Sequence, residues 1–193
     1  MRKLFHSRLS AAGRSFELYS VERALVAIGL PGDSSKTLAG WLRRYFDGVP
    51  VEPADTRHQG YERQLIEYFE GRRRVFDLRY ELLGTDFQKD VWNAVASIPY
   101  GRTSSYRDIA HLIGRPEASR AVGAANGANP IPIVIPCHRV IGANGSLTGY
   151  GGGLPLKRRL LALEGALRAP STQMRLEFQP SRSVSCPSGP SFA

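Results

Sequence analysis

Residues 131–140 read Ile-Pro-Ile-Val-Ile-Pro-Cys-His-Arg-Val, an apolar run that ends in a thiol, an imidazole and a guanidinium. Because Pro132 and Pro136 cannot continue a helix or sit centrally in a sheet, we expect Cys137 to lie at a stiff, irregular bend. A cysteine is nucleophilic only as its thiolate, and the positive charges of His138 and Arg139, or a helix N-terminus, would lower the pKa of this thiol. Taken alone, a free cysteine is more often a small buried hydrophobic residue than a catalyst, so the wider sequence has to decide.

The positive charge of the chain is concentrated in the half that contains this cysteine. The sequence has 193 residues and a net charge of +9. Residues 1–98 hold 15 Lys and Arg against 13 Asp and Glu, whereas residues 99–193 hold 11 against 4. A basic half suits a polyanion, most commonly the phosphate backbone of nucleic acid, although a solvated basic face without a partner has the same composition.

Cysteine content and hydropathy narrow the class of protein. The two cysteines, Cys137 and Cys186, are too few for a disulfide scaffold or a four-cysteine zinc site. A thiol that must stay free is expected in a reducing compartment, the cytoplasm of a bacterium or the nucleus of a eukaryote. No stretch approaches the roughly 20 apolar residues of a membrane span, so we expect no membrane association. The basic start of the chain weakly resembles a transit peptide, but the apolar alternation that resumes at Phe16 favours a first strand.

The first 83 residues show the patterns of a small mixed α/β domain. Residues 16–21 and 24–30 are short alternating or apolar runs that Pro31 and Gly32 end, so we expect strands there. Two amphipathic helices are predicted next, one from the face Leu38, Trp41, Leu42 and Tyr45 and one from the face Tyr61, Leu65, Tyr68 and Phe69. Residues 76–82 alternate again, which predicts a further strand.

The second half reads as mostly helical. Thr85 is the predicted N-cap of its first helix. Ser105, with Asp108 three residues later, is a capping-box variant whose helix ends at residues 114–116, Gly-Arg-Pro. A second short helix over residues 117–127 completes a helix-turn-helix pattern, which many helix pairs that do not bind DNA share. A last helix is predicted from the apolar stripe Leu156, Leu160, Leu163 and Leu167.

One side of the predicted helix over residues 117–127 has small side chains except at Arg120. The residues on this side are Arg120, Gly123, Ala124 and Gly127. Small residues let a helix backbone approach a partner closely, at a cost in helix propensity. From the residues alone, that partner is equally well a second helix of the same chain or a nucleic acid.

Nine short motifs have the order and spacing of one known protein family. They are Phe87-Gln88, Val91-Trp92, Ile98-Pro99-Tyr100-Gly101, Ser105-Tyr106, Arg120-Ala121-Val122-Gly123, Asn129-Pro130, the run 135–140, the run 148–153 and the run 160–165. Together they resemble the O6-alkylguanine-DNA alkyltransferases, direct-reversal repair proteins also called methylated-DNA–protein-cysteine methyltransferases. The resemblance is strong over residues 76–166 and weak over residues 1–75. A Pro-Cys-His-Arg-Val core with ordered motifs on both sides is a specific signal.

The resemblance implies an α+β fold. Residues 1–83 would form a small mixed α/β domain, ribonuclease H-like, and residues 84–167 a mostly helical DNA-binding and active-site domain with a winged-helix-like helix-turn-helix. The composition of residues 168–193, rich in serine and proline, predicts a disordered tail. Some family members bind zinc in the N-terminal domain, but this half has no cysteine, so we expect no metal.

The resemblance also implies catalytic roles. Cys137 would be the nucleophile and would keep the alkyl group. His138, oriented by Glu164, would take the proton of the thiol through a water, in the nucleophile, base and orienter logic of catalytic triads. Tyr106 would turn the nucleotide outward and help to protonate the base. Without the resemblance, Glu164 fits equally well as a solvated glutamate at a helix end.

DNA contacts and a base pocket are implied in the same way. Arg120 would enter the space left by the everted base, for which a flat cation is suited. The other residues implied at the DNA side are Ser119, Ala121, Gly123, Arg139 and the hinge residue Asn129. The pocket for the base would be formed by Val140, Tyr150 and Gly151. Since many relatives have serine or alanine at position 151, only the backbone amide of Gly151 can be carried over.

The implied reaction is transfer of an alkyl group from O6-alkylguanine, and O4-alkylthymine, in double-stranded DNA to Cys137. We expect a monomer that uses no cofactor and reacts once per molecule. Two other interpretations stay open. A non-catalytic lesion-binding relative would lack the acceptor cysteine, and a Cys-His hydrolase would release its product and regenerate the thiol.

Overall fold

The N-terminal part of the protein forms a four-stranded sheet. In the computed structural model, which describes residues 2–32 and 35–167, the strands are β1 (Leu4–Ala11), β2 (Arg14–Val21), β3 (Ala24–Gly29) and β4 (Val51–Pro53). The first three are antiparallel neighbours and β4 lies parallel to β1, which gives the order β3-β2-β1-β4. Both Ala12 and Gly13 have positive φ, as a two-residue hairpin turn requires. The strands predicted at the start of the chain, over 16–21 and over 24–30 are confirmed.

Six α-helices occur in the described residues. They are α1 (Ser35–Phe46), α2 (Gln59–Phe69), α3 (Asp86–Ala96), α4 (Tyr106–Leu112), α5 (Ser119–Gly127) and α6 (Gly153–Leu163). A short parallel pair, β5 (Ser104–Ser105) and β6 (Val140–Ile141), joins the start of α4 to the segment after Cys137. The mixed α/β architecture predicted from the sequence is therefore confirmed.

The predicted helix starts in the second half are set by local hydrogen bonds. Thr85 caps α3 by accepting from the backbone N–H of Gln88, whose side chain accepts from the N–H of Thr85 in return. Ser105 and Asp108 make the same reciprocal pair at α4. Each box satisfies backbone donors that a helix start leaves without partners. The next helix differs slightly from its prediction, because residues 116–118 form a 3-10 turn before α5 begins.

The predicted strand over residues 76–82 is wrong. The segment touches β3 at one point only, where Leu25 donates to Arg79 O at 2.9 Å and accepts from Glu81 N at 2.9 Å. Its alternation has another cause: Phe76, Leu78 and Leu82 pack against the core while the residues between them face outward. The predicted stripe of α6 also ends early, since Leu167 lies beyond the helix and is 41% exposed.

One hydrophobic core connects the sheet to the helices that carry the motifs. It includes Leu18 and Leu25 of the sheet as well as Trp92, Val122 and Leu160 of the helices, all of them 1% exposed or less. The Trp92 indole donates to the backbone oxygen of Ala125 at 2.8 Å, which fixes α5 against α3. A helix held by its buried side leaves its other face free for a partner.

No helix among residues 2–32 and 35–167 is long and apolar enough to cross a membrane. The predicted disordered tail, including Cys186, lies outside the described residues.

Candidate active site

Cys137 begins a 3-10 turn, Cys137–Arg139, directly after Pro136. Its backbone N–H donates to Ile135 O at 2.8 Å, and the N–H of Arg139 donates to Pro136 O at 2.8 Å. Upstream, Ile133 has a φ of +78°, a conformation that β-branched residues rarely adopt. The thiol therefore lies at a rigid, irregular bend, as the two prolines predicted.

Two asparagines hold this bend to α5. The Asn129 amide donates to Ile135 O at 2.9 Å and accepts from Ile131 N at 3.0 Å. Asn126, on α5 itself, donates to Cys137 O at 3.3 Å. These contacts fix Asn129 between the end of α5 and the segment that leads to the thiol, and its role as a hinge stays a prediction. Asn126 was not singled out from the sequence, because nothing local distinguishes it from a solvated helix residue.

A cavity of about 460 Å³ opens beside the thiol. Its lining includes Cys137, Tyr106 of α4, Gly123 of α5, Tyr150 and Gly151. This volume lies in the range of sites that bind small organic molecules. Asn129 also lines the cavity, so six of the residues predicted from the sequence are brought together at one concave surface.

Burial keeps the thiol protonated. Desolvation raises the pKa of Cys137 to about 11, against the opposing effects of the Asn129 side chain and the charge of Lys157. The prediction that positive charges on His138 and Arg139 lower this pKa is wrong, because the lowering effect of His138 comes from a backbone hydrogen bond. Desolvation lowers the pKa of His138, so its ring is neutral, and the charge of Arg139 is taken by a carboxylate.

His138 and Glu164 form a buried pair, as the resemblance implies. The Nε2–H of His138 donates to Glu164 Oε1 at 2.9 Å, and both side chains are fully buried. Burial alone would raise the pKa of Glu164, but hydrogen bonds from His138 and Arg139, together with the charge of Arg139, outweigh it and lower the pKa to about 2. The other ring nitrogen, His138 Nδ1, is buried and has no partner among the described residues.

Arg139 does not lie where a DNA contact would need it. Its Nε donates to Glu164 Oε2 at 2.8 Å and its Nη2 to Glu164 Oε1 at 2.9 Å. Its Nη1 donates to Ile98 O at 2.6 Å, and the residue is 6% exposed. Since these bonds hold the guanidinium inside the protein, the structure contradicts the implied DNA role and gives Arg139 a role in fixing the carboxylate.

Tyr68, on α2 of the N-terminal part, completes the network around this carboxylate. Its hydroxyl donates to Glu164 Oε1 at 2.6 Å and lies 3.4 Å from His138 Nε2. The side chain is fully buried, and burial together with Glu164 raises the pKa of the phenol. Helical periodicity predicts only an apolar helix face for Tyr68, because its partner is 96 residues away along the chain.

Lys157, on α6, is a second residue that no sequence motif singled out. Its Nζ is buried and donates to Val140 O at 2.6 Å, Thr148 O at 2.6 Å and Gly149 O at 3.4 Å. Desolvation lowers its pKa to about 8, so it carries a positive charge at neutral pH. The ammonium group thereby ties the loop that precedes Tyr150 and Gly151 to the strand after the thiol.

The predicted base-pocket residues divide into two groups. Tyr150 and Gly151 line the cavity, and the Tyr150 ring lies edge-on to His138 with 6.4 Å between ring centroids. Val140 lies behind the cavity wall instead. Its N–H donates to Cys137 O and its carbonyl accepts from Lys157.

The predicted DNA-side residues of α5 lie on its exposed side. Arg120 and Ala121 are exposed and Ser119 and Gly123 are partly exposed, while Val122 is fully buried. Tyr106 contacts this helix over Gly123, where an added Cβ would lie 3.7 Å from the phenol ring. The small face of α5 and the thiol therefore border the same cavity. Among the described residues, no group of three or more His, Cys, Asp or Glu could hold a metal ion.

Fold and site together define a protein with a cysteine thiol in a cavity that adjoins the helix pair α4 and α5. The family profile described as 6-O-methylguanine DNA methyltransferase, DNA binding domain, matches residues 86–166. The chain is 46% identical over 161 residues to the inducible methylated-DNA–protein-cysteine methyltransferase of Bacillus subtilis, an alignment that covers 83% of this chain and 90% of that relative. The chain belongs to the methylated-DNA–protein-cysteine methyltransferase family.

Solved structures agree with this assignment. The O6-methylguanine methyltransferase of Mycobacterium tuberculosis superposes with a TM-score of 0.70 at 42% identity, covering 87% of this chain and 96% of that chain. A structure of M. tuberculosis OGT in complex with DNA gives a TM-score of 0.70 at 43% identity, covering 88% and 96%.

Proposed function

We propose that the protein repairs DNA by transferring the alkyl group of O6-alkylguanine to Sγ of its own Cys137. The observation that carries this proposal is the cavity that the buried thiol shares with Tyr106 and Gly123 of the helix-turn-helix. The names of the relatives, in which a protein cysteine receives a methyl group from DNA, support the same reaction. O4-alkylthymine carries its alkyl group on an equivalent exocyclic oxygen, so we include it as a substrate.

The transfer is an in-line displacement. Cys137 Sγ forms a bond to the alkyl carbon, the bond between that carbon and O6 breaks, and its electron pair leaves with guanine. The thiol gives its proton to His138, and the guanine takes up a proton as it leaves. The products are a thioether and an unmodified guanine, so the step balances without a cofactor. Since the thioether has no route back to the thiol, each molecule reacts once.

The buried pair explains how a thiol with a raised pKa can react. Because the pKa of Cys137 is about 11, the proton has to be removed as the substrate reacts rather than beforehand. His138 is neutral and already donates from Nε2 to Glu164, which leaves Nδ1 as the acceptor, through a water. Glu164 would then stabilise the imidazolium that forms, as the orienting acid of a triad does.

Tyr106 is the proposed donor to the leaving base. Its ring lies against α5 over Gly123, and its hydroxyl accepts a hydrogen bond from Thr148 at 3.3 Å. A phenol at this cavity wall can donate a proton to a guanine as negative charge develops on it.

The partner is double-stranded DNA carrying the alkylated base, bound by a protein monomer. The O6 atom cannot be reached inside a stacked duplex, so the nucleotide has to be everted into the cavity. We assign the exposed side of α5 to the minor groove, where its small residues permit close approach and Arg120 fills the vacated space. The relative solved with DNA supports this partner.

The finer architecture is part of the proposal. We assign residues 1–83 to a ribonuclease H-like domain, supported by the order β3-β2-β1-β4 with β4 parallel to β1. Residues 84–167 form the alkyltransferase domain, whose α4 and α5 are the helices of a winged-helix-like motif. The need for a reduced thiol favours the cytoplasm or, in a eukaryote, the nucleus.

Counting repaired lesions tests the function. A fixed amount of protein is mixed with excess duplex carrying O6-methylguanine, and restored guanine is measured over time. We expect a burst of no more than one guanine per protein, and none with Cys137→Ala. Continued turnover would identify a hydrolase-like reaction, and lesion binding without transfer would identify a non-catalytic binder.

A further inference from the structure

Helix α1 of the N-terminal part forms one wall of the cavity that holds the thiol. Trp41, Arg44 and Tyr45 line the same space as Cys137 and Gly127. The proposed function uses only the walls supplied by residues 106–151. The side formed by α1 therefore has no role in the chemistry described above.

Several contacts fix α1 in this position. The Trp41 indole donates to Leu83 O at 3.3 Å. Leu38 packs over Gly29, where an added Cβ would lie 2.8 Å from the leucine Cδ2. The strand that ends at Gly29 is in turn bonded to the hinge, because Ile28 N donates to Pro130 O at 2.8 Å. Strand β3 therefore contacts both α1, through Gly29, and the segment after α5, through Ile28.

Arg44 is the charged residue of this wall. Its side chain is exposed, and its guanidinium lies over the Tyr45 ring at 5.6 Å from the centroid. Among the described residues, no carboxylate forms a salt bridge with it. A cation that lines a cavity on an aromatic ring, and that pairs with no carboxylate of the described residues, suits an anionic group of the ligand.

We propose that Arg44 binds the backbone phosphate of the everted nucleotide, so that the DNA-binding surface extends from α5 across the cavity onto α1. This inference rests on the proposed function. When the base enters the cavity, its sugar and phosphate stay outside, where the exposed guanidinium of Arg44 on the α1 wall can reach them. The N-terminal part then contributes directly to lesion recognition rather than only supporting the core.

The chain provides a matched control in Arg43, the preceding residue of α1. It is also exposed, but it does not line the cavity. Arg44→Ala, Arg44→Lys and Arg43→Ala are each made in the Cys137→Ser protein, so that binding is measured without transfer. Affinity is determined for a duplex carrying one O6-methylguanine and for the same duplex undamaged, at several salt concentrations.

Arg44→Ala is expected to weaken binding of the alkylated duplex by roughly five- to tenfold and to reduce its salt slope by about one. The loss on the undamaged duplex is expected to be less than half as large on a logarithmic scale. Arg43→Ala should change neither affinity by more than about twofold, and Arg44→Lys should keep the slope. Matching thermal unfolding midpoints establish that the variants are folded.

Equal effects of Arg44→Ala and Arg43→Ala would overturn the proposal, and so would an equal loss on both duplexes. These outcomes differ from a failure of the proposed function. A wild-type protein that never acquires an alkyl group on Cys137 would refute the reaction, whereas the Arg44 result comes from a protein that lacks the thiol.

Discussion

Replacing Glu164 by glutamine would test whether one buried carboxylate holds the site together. Glutamine keeps the shape of the side chain but leaves the guanidinium of Arg139 buried without a counter-charge. Removing one partner of a buried ion pair costs about 3–5 kcal/mol. The pKa of Glu164 gives a similar free energy. Burial raises the pKa of Glu164, whereas hydrogen bonds from His138 and Arg139 and the charge of Arg139 lower it. The net fall from 4.5 to about 2 corresponds to about 3 kcal/mol.

The sign of this effect fixes its pH dependence. Because the folded pKa is the lower one, the stabilisation is fully present above about pH 4.5 and is lost as the pH falls through about 2. At pH 3, about 1 kcal/mol of it remains. Urea unfolding at pH 7 and pH 3 measures the free energy of unfolding of the wild type, Glu164→Gln and a surface control, Glu52→Gln.

We expect Glu164→Gln to lose about 3 kcal/mol at pH 7 and clearly less at pH 3, relative to the wild type under the same conditions. Glu52 pairs with Lys3 on the exposed surface, so its replacement should change little at either pH. A loss of the same size at both pH values would contradict the reasoning, because the effect would then come from shape and not from charge.

Three further predictions concern the surroundings of the thiol. Tyr68→Phe should cost about 1 kcal/mol of stability and slow alkyl transfer roughly tenfold in single-turnover assays, whereas Tyr61→Phe, away from the cavity, should leave the transfer rate alone; equal rates in both variants would count against the network. Lys157→Met should slow transfer roughly tenfold or more, since three carbonyl groups lose their donor, and a rate within about twofold of the wild type would show that the loop needs no such tie. With Cys186 replaced by alanine, labelling of Cys137 by iodoacetamide should accelerate about tenfold per pH unit from pH 7 to 10, because burial raises the pKa of the thiol to about 11; a plateau near pH 8 would contradict a buried, protonated thiol.

Sequence patterns predicted the structure correctly where it depends on residues close together in the chain. The caps at Thr85 and Ser105 use partners three residues away, so sequence spacing identified both helix starts. The side of α5 with small residues follows from helical periodicity alone, and Val122 is buried on the opposite side.

Prediction from the sequence failed where a residue contacts a partner that is distant along the chain. The alternation over residues 76–82 shows that one side of the segment is buried. A true strand has this pattern, but so does an irregular segment that is bridged to Leu25 at a single point. The contact of Tyr68 with Glu164 and the burial of Arg139 depend on the tertiary structure. No local sequence pattern predicts either of them. The pKa of Cys137 followed desolvation rather than the charges beside it in sequence, because only the fold decides which charges are already neutralised.

The central claim is that Cys137 takes and keeps the alkyl group. Intact-protein mass spectrometry after incubation with an O6-methylguanine duplex measures this directly, with peptide mapping and a Cys137→Ser control. We expect one added methyl group per molecule, located on Cys137 and absent from the control. A methyl group on any other residue, or repaired DNA with an unchanged protein mass, would contradict the account.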